Sequence, residues 1–289
     1  MRQDARRFDR QAGDFDRRAG LGEPVAGQVA SAVLEASRLN ASDVLLELGA
    51  GTGEIGQHLA DGARQVGARY LGTDRSGAML AAFQQRRLRF PVALTRFDAG
   101  LHWPLPDDVT AAVFGSRVVH LLDLSHVAEE VWRVCRPGGC LLLGRVHREP
   151  DSPTSRLRQR RAQLLASCGV AMRNGRTGGR RLLEELTARG ASPLGSRVVA
   201  TWTARRAPAE VLAGWEALGG IGGIPLEADR LAAVLAQLRA WADRELGDLD
   251  TARDGPESYV LDGVRLPTRR YAAQTTPHPP TGARWMTPC

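Results

Sequence analysis

The 289-residue sequence contains no lysine, so all 39 of its basic residues are arginine. Against 32 acidic residues they give a net charge of +7 and a sequence pI of about 10.1. Arginine without lysine, in a chain rich in alanine, glycine and leucine, indicates a GC-rich coding bias. A basic balance alone predicts solubility and association behaviour rather than a specific partner. The charge therefore does not by itself predict a nucleic-acid-binding protein.

Three other features are also lacking. No apolar run approaches the roughly 18 residues of a membrane span, which excludes a transmembrane helix. The basic start of the chain leads into polar sequence instead of an apolar segment, so we expect no secretory signal. The four cysteines, at positions 135, 140, 168 and 289, match neither a disulfide framework nor a paired zinc pattern. We expect a cytoplasmic protein that is a monomer or a homodimer.

Hydrophobic periodicity alternates between strands and helices along most of the chain. Strands are predicted at 43–48, 68–73, 91–96, 110–115, 140–147, 196–203 and 259–264. Helices are predicted at 24–38, 54–65, 76–87, 124–136, 207–217 and 227–246, and over 153–190 with a break near 174–180. Strands separated by helices form right-handed βαβ units, which build a parallel sheet. The sequence therefore predicts an α/β protein.

A glycine-rich segment, Glu47-Leu48-Gly49-Ala50-Gly51-Thr52-Gly53, directly follows the first predicted strand. Small residues there let the backbone turn sharply and approach a ligand, and the next helix points its N-terminus at the same place. The spacing is G-x-G-x-G, which differs from the dinucleotide pattern G-x-G-x-x-G.

Two more strand ends carry a carboxylate. Asp74 ends the second predicted strand, where it could accept both ribose hydroxyls of an adenosine-bearing ligand. Asp98 follows the third strand, where it could meet an adenine amino group. Polar groups from three strand ends thus converge on one edge of the predicted sheet.

With these motifs, residues 8–147 resemble the class I S-adenosylmethionine (SAM)-dependent methyltransferases. The similar branch is methyltransferase type 11, which includes the ubiquinone/menaquinone- and biotin-pathway enzymes. Besides the glycine-rich segment, the similar stretches are 72–76 with Met79-Leu80, Asp98-Ala99, 105–107, 118–121 and 133–139, together with Phe8-Asp9-Arg10 and Phe15-Asp16-Arg17.

The resemblance implies a Rossmann-like three-layer sandwich. Its sheet would have seven mostly parallel strands, with an antiparallel last strand and a helical cap. It also implies four segments: 1–40 covering the cofactor, 41–150 forming the SAM-binding core, 151–266 forming lid helices and final strands, and 267–289 forming a loose tail.

SAM is the implied cofactor and S-adenosylhomocysteine (SAH) the implied product. The implied cofactor-binding residues are Glu47, Gly49, Ala50, Gly51, Gly53, Asp74, Arg75, Asp98, Ala99 and Ser116.

The function expected from this resemblance is metal-independent methyl transfer to O, N or acidic C of a small molecule. No Asp/Glu/Asn set typical of a magnesium site follows these strands. His120, expected at the end of the fourth strand, is the candidate base, since neutral imidazole can remove a proton from the acceptor. The alternative is that His120 only packs at the rim of the site.

The expected substrate and lid residues are Phe8, Phe15, Arg117, Arg156 and Arg160. The arginines between 156 and 161 cannot all face one way on a helix, so some could clamp a carboxylate or phosphate. The alternative is a solvated helix face. The expected partner is thus a small molecule, either anionic or aromatic. Three other functions stay open: a carboxyl methyltransferase acting on an acyl-carrier or CoA ester, an RNA or protein methyltransferase, and a non-catalytic SAM-binding module.

Overall fold

A computed structural model describes residues 8–9, 12–86, 88, 90–170, 175–217, 221, 224 and 226–268. Most of the predicted tail, 269–289, lies outside the described residues. The division of the chain into four segments stays a prediction.

A single sheet of seven strands forms the centre of the described structure. The strands are β1 Val44–Leu48, β2 Arg69–Asp74, β3 Ala93–Arg96, β4 Thr110–Ser116, β5 Cys135–Arg148, β6 Ser192–Arg206 and β7 Arg253–Arg265. Their spatial order is β3-β2-β1-β4-β5-β7-β6. The first five strands are parallel, while β7 runs antiparallel to both of its neighbours. The carboxyl ends of β1 to β5, and that of β6, therefore lie at one edge of the sheet.

Helices cover both faces of this sheet. They are α1 Phe15–Ala19, α2 Glu23–Ser37, α3 Gly56–Gln65, α4 Gly77–Gln84, α5 Leu124–Val134, α6 Pro153–Ser167, α7 Gly175–Ala188, α8 Pro208–Glu216 and α9 Ala228–Leu246. Short 3-10 helices occupy Ala12–Asp14 and Val119–Leu121.

Two apolar cores form where the helices meet the sheet. Helices α2 and α3 pack on one face, where Leu45, Phe114 and Tyr259 are fully buried. Helices α5 and α7 pack on the other face, against Leu46, Val113 and Leu141. This alternation along β1 and β4 is what a strand buried on both sides requires. The expected three-layer Rossmann-like fold with an antiparallel last strand is confirmed.

A third apolar cluster joins α6, α8 and α9 through residues such as Leu157, Trp215 and Leu238. These three helices form a cap that is separate from the two cores. Helix α7, which was expected to belong to the cap, instead contributes Leu182 and Leu186 to the core beneath the sheet.

The break expected near 174–180 is wrong, because α7 runs through it. A Cβ at Gly178 would lie 3.8 Å from a Val119 methyl group, and one at Gly179 would lie 3.6 Å from a Leu143 methyl group. Both distances are ordinary van der Waals contacts, so these glycines lie within a helix where a methyl group would also fit, and they do not mark a helix end.

The last three strands are longer than the sequence predicts. Pairing of β6 with β7 extends from Ser192↔Arg265 to Arg206↔Arg253. Much of β6 is exposed at the sheet edge, with Val198 59% exposed, so its ends lack the apolar alternation that identifies a half-buried strand. Main-chain pairing alone extends these ends.

The buried ring of Tyr259 connects β7 to the end of β4. Its hydroxyl lies 2.6 Å from Ser116 Oγ, and a Cβ at Gly144 on β5 would lie 2.0 Å from Tyr259 Oη. Glycine at position 144 is therefore needed for Tyr259 to cross the neighbouring strand.

We predict that Gly144→Ala lowers the free energy of unfolding by about 1–3 kcal/mol, because the added methyl group overpacks the Tyr259 site. Urea denaturation measures this change. The control is Gly27→Ala in α2, where a Cβ meets nothing within 4 Å. That change should raise the free energy of unfolding by up to about 1 kcal/mol, since alanine favours a helix. Equal stability of Gly144→Ala and the wild type would contradict the prediction.

Candidate active site

A cavity opens at the edge of the sheet where β1, β2 and β4 end. Its wall consists of the loops after these strands, the loop after β3 and the N-terminal segment. The lining residues are Phe8, Phe15, Glu47, Gly49, Ala50, Gly51, Thr52, Glu54, Ile55, Thr73, Asp74, Arg75, Met79, Phe97, Asp98, Ala99, Ser116, Arg117, Val118, Leu121 and Leu122.

The three glycines of the β1–α3 loop all have positive φ angles, but they serve different purposes. A Cβ at Gly49 would lie 2.8 Å from a Val118 methyl group, and one at Gly53 would lie 2.0 Å from the Phe83 ring. A Cβ at Gly51 would meet only the Gly49 carbonyl at 4.0 Å. Gly51 therefore leaves its backbone open to a ligand, whereas Gly49 and Gly53 permit close packing.

Asp74 joins the loops after β1 and β2. Its Oδ2 accepts a hydrogen bond from the Gly51 amide at 3.0 Å, and its Oδ1 accepts one from the Ser76 amide at 2.8 Å. Burial raises the pKa of Asp74, and these hydrogen bonds oppose that rise. Each carboxylate oxygen keeps a second lone pair, so Asp74 retains capacity to accept ligand hydroxyl groups.

Glu47 is buried beneath the glycine loop, with only 2% of its surface exposed. Its Oε2 accepts a hydrogen bond from the hydroxyl of Tyr70 on β2. Burial raises the pKa of Glu47 to about 8, against the opposing effect of the Tyr70 hydrogen bond. This carboxyl group is consequently protonated over much of the neutral range.

Glu54 carries a second buried carboxylate into the cavity. Its Oε1 accepts hydrogen bonds from the Leu21 and Gly22 amides at 2.6 and 2.9 Å. Its Oε2 is buried and has no hydrogen-bond partner among the described residues, and Arg117 Nη2 lies 4.0 Å away. An acceptor of this kind suits a cationic ligand group such as an ammonium.

The N-terminal segment is attached to the site through two aspartates. Asp9 Oδ1 accepts a hydrogen bond from Ser76 Oγ at 2.6 Å. Asp16 accepts hydrogen bonds from the Thr52 hydroxyl and the Arg86 guanidinium. Each aspartate follows a phenylalanine, and both Phe8 and Phe15 line the cavity. Phe8 and Phe15 thus both lie at the cavity, and the aspartate after each of them binds a different loop of the site.

Part of the chain matches known proteins. Residues 46–143 match a family model described as a methyltransferase domain. A 110-residue stretch is 35% identical to a probable S-adenosylmethionine-dependent methyltransferase of Mycolicibacterium smegmatis. The chain contains a class I SAM-dependent methyltransferase domain. SAM is the cofactor of this domain.

The stretch shared with the M. smegmatis protein covers 38% of this chain and 40% of that relative, so the match spans less than half of either. Two solved structures share the fold. The YcgJ protein of Bacillus subtilis is 17% identical, with a TM-score of 0.50 over 82% of this chain and 97% of YcgJ. A chain from the Haloferax volcanii complex that contains the Trm112 methyltransferase activator is 16% identical, with a TM-score of 0.51 over 90% of this chain and 97% of its own length.

Most of the residues expected to bind the cofactor line the cavity of this methyltransferase domain. They are Glu47, Gly49, Ala50, Gly51, Asp74, Arg75, Asp98, Ala99 and Ser116. Gly53 is the exception, because its place against Phe83 keeps it out of the lining.

His120 does not line the cavity either. The fourth strand ends at Ser116, the chain turns at Arg117 with a φ of +56°, and a 3-10 helix follows. That helix places Leu121, and not His120, on the cavity wall. His120 thus lies in the 3-10 helix after the strand, and its role as a base stays a prediction.

Among the expected substrate residues, Phe8, Phe15 and Arg117 line the cavity, whereas Arg156 and Arg160 do not. Arg156 pairs with Glu245 of α9 at 3.2 Å and lies over the Trp241 ring. Arg160 donates to Gln163 on its own helix at 3.2 Å. Both arginines support the cap.

Sequence reasoning missed several lining residues of the methyltransferase domain: Thr52, Glu54, Ile55, Thr73, Met79, Phe97, Val118, Leu121 and Leu122. Glu54 directly follows the last glycine of the loop, which is a signal that could have identified it. The apolar members carry no such signal, since an apolar residue beside a strand end reads as core.

Within the described ranges, no group of three or more His, Cys, Asp or Glu residues is arranged to hold a metal ion. In the same part of the chain, no helix combines the length and apolarity needed to cross a bilayer.

We predict that wild-type stability falls as the pH rises from 6 to 8.5, because folding holds a proton on Glu47 that the unfolded chain has already released. The folded pKa lies above the ordinary value of 4.5, so this contribution is complete below 4.5 and is lost as the pH passes about 8. In Glu47→Gln this loss should shrink by on the order of 1 kcal/mol. Urea denaturation at both pH values measures it. Identical pH dependence in the two proteins would refute the assignment of the raised pKa to Glu47.

Proposed function

We propose that this chain transfers a methyl group from SAM to a small-molecule acceptor. The supporting observation is the composition of the cavity. Carboxylates and glycines form one side of it, and the apolar side chains of Phe15, Val118 and Leu121 form another. Phe8 and Phe15 cover it, which suits an acceptor small enough to be enclosed.

The lining residues fit the parts of SAM one by one. Asp74 would accept hydrogen bonds from the two ribose hydroxyls, and Asp98 with Ala99 would meet the adenine. Gly51 gives its backbone room for the methionine and ribose. The unpartnered Oε2 of Glu54 would accept a hydrogen bond from the methionine ammonium, with Glu47 beneath the same end. In this arrangement Arg75 and Ser116 border the nucleoside and the acceptor side, respectively.

Bound SAM supplies an electrophilic methyl group on its sulfonium. The contribution of the protein is to orient the acceptor in line with that methyl group at about 3 Å and to exclude water. The phenylalanine cover and the apolar wall serve the second purpose. Since His120 does not line the cavity, positioning carries the main part of catalysis in this proposal.

We predict that Asp74→Ala weakens SAH binding by on the order of 100-fold, because two hydrogen bonds to a charged acceptor are lost. Isothermal titration calorimetry measures the affinity. Asp61→Ala is the matched control, since Asp61 lies on α3 and hydrogen-bonds only to Gln65 among the described residues. That variant should bind SAH like the wild type. Unchanged affinity in Asp74→Ala, with its fold intact by circular dichroism, would remove Asp74 from the cofactor site.

The activity itself is tested with SAM labelled on its methyl group. The purified protein is incubated with fractions of a cell extract: RNA, protein and low-molecular-weight compounds. We predict that label enters the low-molecular-weight fraction only and that Asp74→Ala abolishes this transfer. We further predict that EDTA leaves the transfer unchanged, as metal-independent chemistry requires.

Each other result supports a different function. Label in RNA that persists at moderate salt would indicate a nucleic-acid substrate, because phosphate-driven affinity falls steeply with salt. Label in protein would indicate a protein methyltransferase. SAH binding without transfer to any fraction would indicate a non-catalytic module.

A further inference from the structure

Four arginines gather beside the cavity, at the carboxyl-end edge of the sheet. Arg148 ends β5, Arg206 ends β6, and Arg158 and Arg161 lie on α6. We refer to these four residues as the arginine cluster. They come from three elements far apart in sequence, so the fold and not a local charge run brings them together.

The cluster contains more positive charge than the carboxylate at its centre neutralises. Glu257 of β7 is only 6% exposed, and its register partner on β5 is Arg148. Arg148 Nε and Arg206 Nη1 lie 2.8 and 2.6 Å from the same oxygen of Glu257, Oε1. One carboxylate therefore pairs with two guanidinium groups, and the cluster contains two further arginines, Arg158 and Arg161.

The two helical arginines differ in their surroundings. Arg161 is buried, with its guanidinium 4.2 Å from the centre of the Trp215 ring. Arg158 forms no salt bridge within the described residues, and the residue as a whole is exposed. The surrounding protein desolvates its guanidinium and, with the charges of Arg148 and Arg161, lowers the pKa of Arg158.

Nearby carboxylates are engaged elsewhere. Asp254 pairs with Arg205 at 3.3 Å, and Asp262 pairs with Arg145 at 3.1 Å. Glu257 is the carboxylate that forms ion pairs with members of the cluster, Arg148 and Arg206. Several guanidinium groups in a partly sheltered place repel one another unless an anion joins them.

The cluster adjoins the acceptor side of the cavity. Arg117 lines the cavity, and its charge is near enough to contribute to the lowered pKa of Arg148, which arises first from burial. Tyr259 provides a second connection: it lies two residues from Glu257 on the same strand face and contacts Ser116 of the cavity wall. None of the four arginines is among the residues that line the cavity, so an acceptor bound beside Arg117 would have to extend past the cavity wall toward Glu257 to meet the cluster.

We propose that the acceptor is an anionic small molecule whose carboxylate or phosphate group binds among Arg148, Arg158 and Arg206. Planar guanidinium groups bind either anion through paired hydrogen bonds, which fixes its orientation. The inference rests on the proposed function, because it names the acceptor class for the same site. Arg158 supplies the guanidinium most available to the anion, and Arg206 is the more exposed of the two that share Glu257.

The test titrates SAH-saturated protein with simple anions at constant ionic strength maintained by NaCl. Inorganic pyrophosphate is the phosphate probe and succinate the carboxylate probe, and calorimetry measures both affinities. We expect the wild type to bind at least one probe, and the tighter one identifies the class of anion. Arg158→Gln and Arg206→Gln should each weaken that binding by about tenfold or more, as loss of a charge-assisted contact does.

Arg205→Gln is the matched control, because it removes the same charge from the adjacent residue of β6, whose side chain pairs with Asp254. Its affinity for the anion should stay within about twofold of the wild type. An equal loss in Arg205→Gln would show that net charge alone attracts the probes, which would overturn the inference.

SAH binding by each protein separates this inference from the function on which it rests. If SAH binds and neither anion does, the arginine cluster is not an acceptor site and the proposed methyl transfer stands. If SAH does not bind the wild type, the proposed function fails and the inference fails with it.

Discussion

The carboxylate of Asp74 holds together the two loops on which the cofactor site is built. It accepts hydrogen bonds from the amides of Gly51 and Ser76, and these bonds connect the loop after β1 to the loop after β2. Ser76 then binds Asp9, and Thr52 binds Asp16, so the N-terminal cover is attached to the same two loops. One buried anion thus organises the floor of the cavity and, through its neighbours, the cover above it.

The sequence predicted the parts of the fold that depend on local pattern. Buried strands such as Val44–Leu48 and the glycine loop after it follow from apolar runs and turn chemistry. The convergence of Glu47, Asp74 and Asp98 follows from the rule that parallel strands end at one edge of a sheet. The parts that depend on tertiary contact were not predicted: a 3-10 helix follows the turn at Arg117, and α7 includes Gly178 and Gly179.

The arginines show the same division between local and tertiary information. Helical periodicity indicates that residues 156–161 point in several directions, but it does not say which of them meet a partner. In the structure Arg156 pairs with Glu245, Arg160 donates to Gln163, and Arg161 lies over the ring of Trp215 on α8. Arg148 and Arg206 come from the ends of β5 and β6. These two ends lie near each other because β7 lies between the two strands and runs antiparallel to both. No local pattern contains that reversal.

The order of the elements along the chain has a consequence for substitutions. Apart from Phe8 and Phe15, the residues that line the cavity lie between positions 47 and 122, whereas the arginine cluster comes from β5, α6 and β6. Substitutions in the later elements can alter the charge offered to an acceptor without changing Asp74 or the glycine loop. In a protein of this architecture, the charge beside the proposed acceptor site can therefore change independently of the residues that line the cavity.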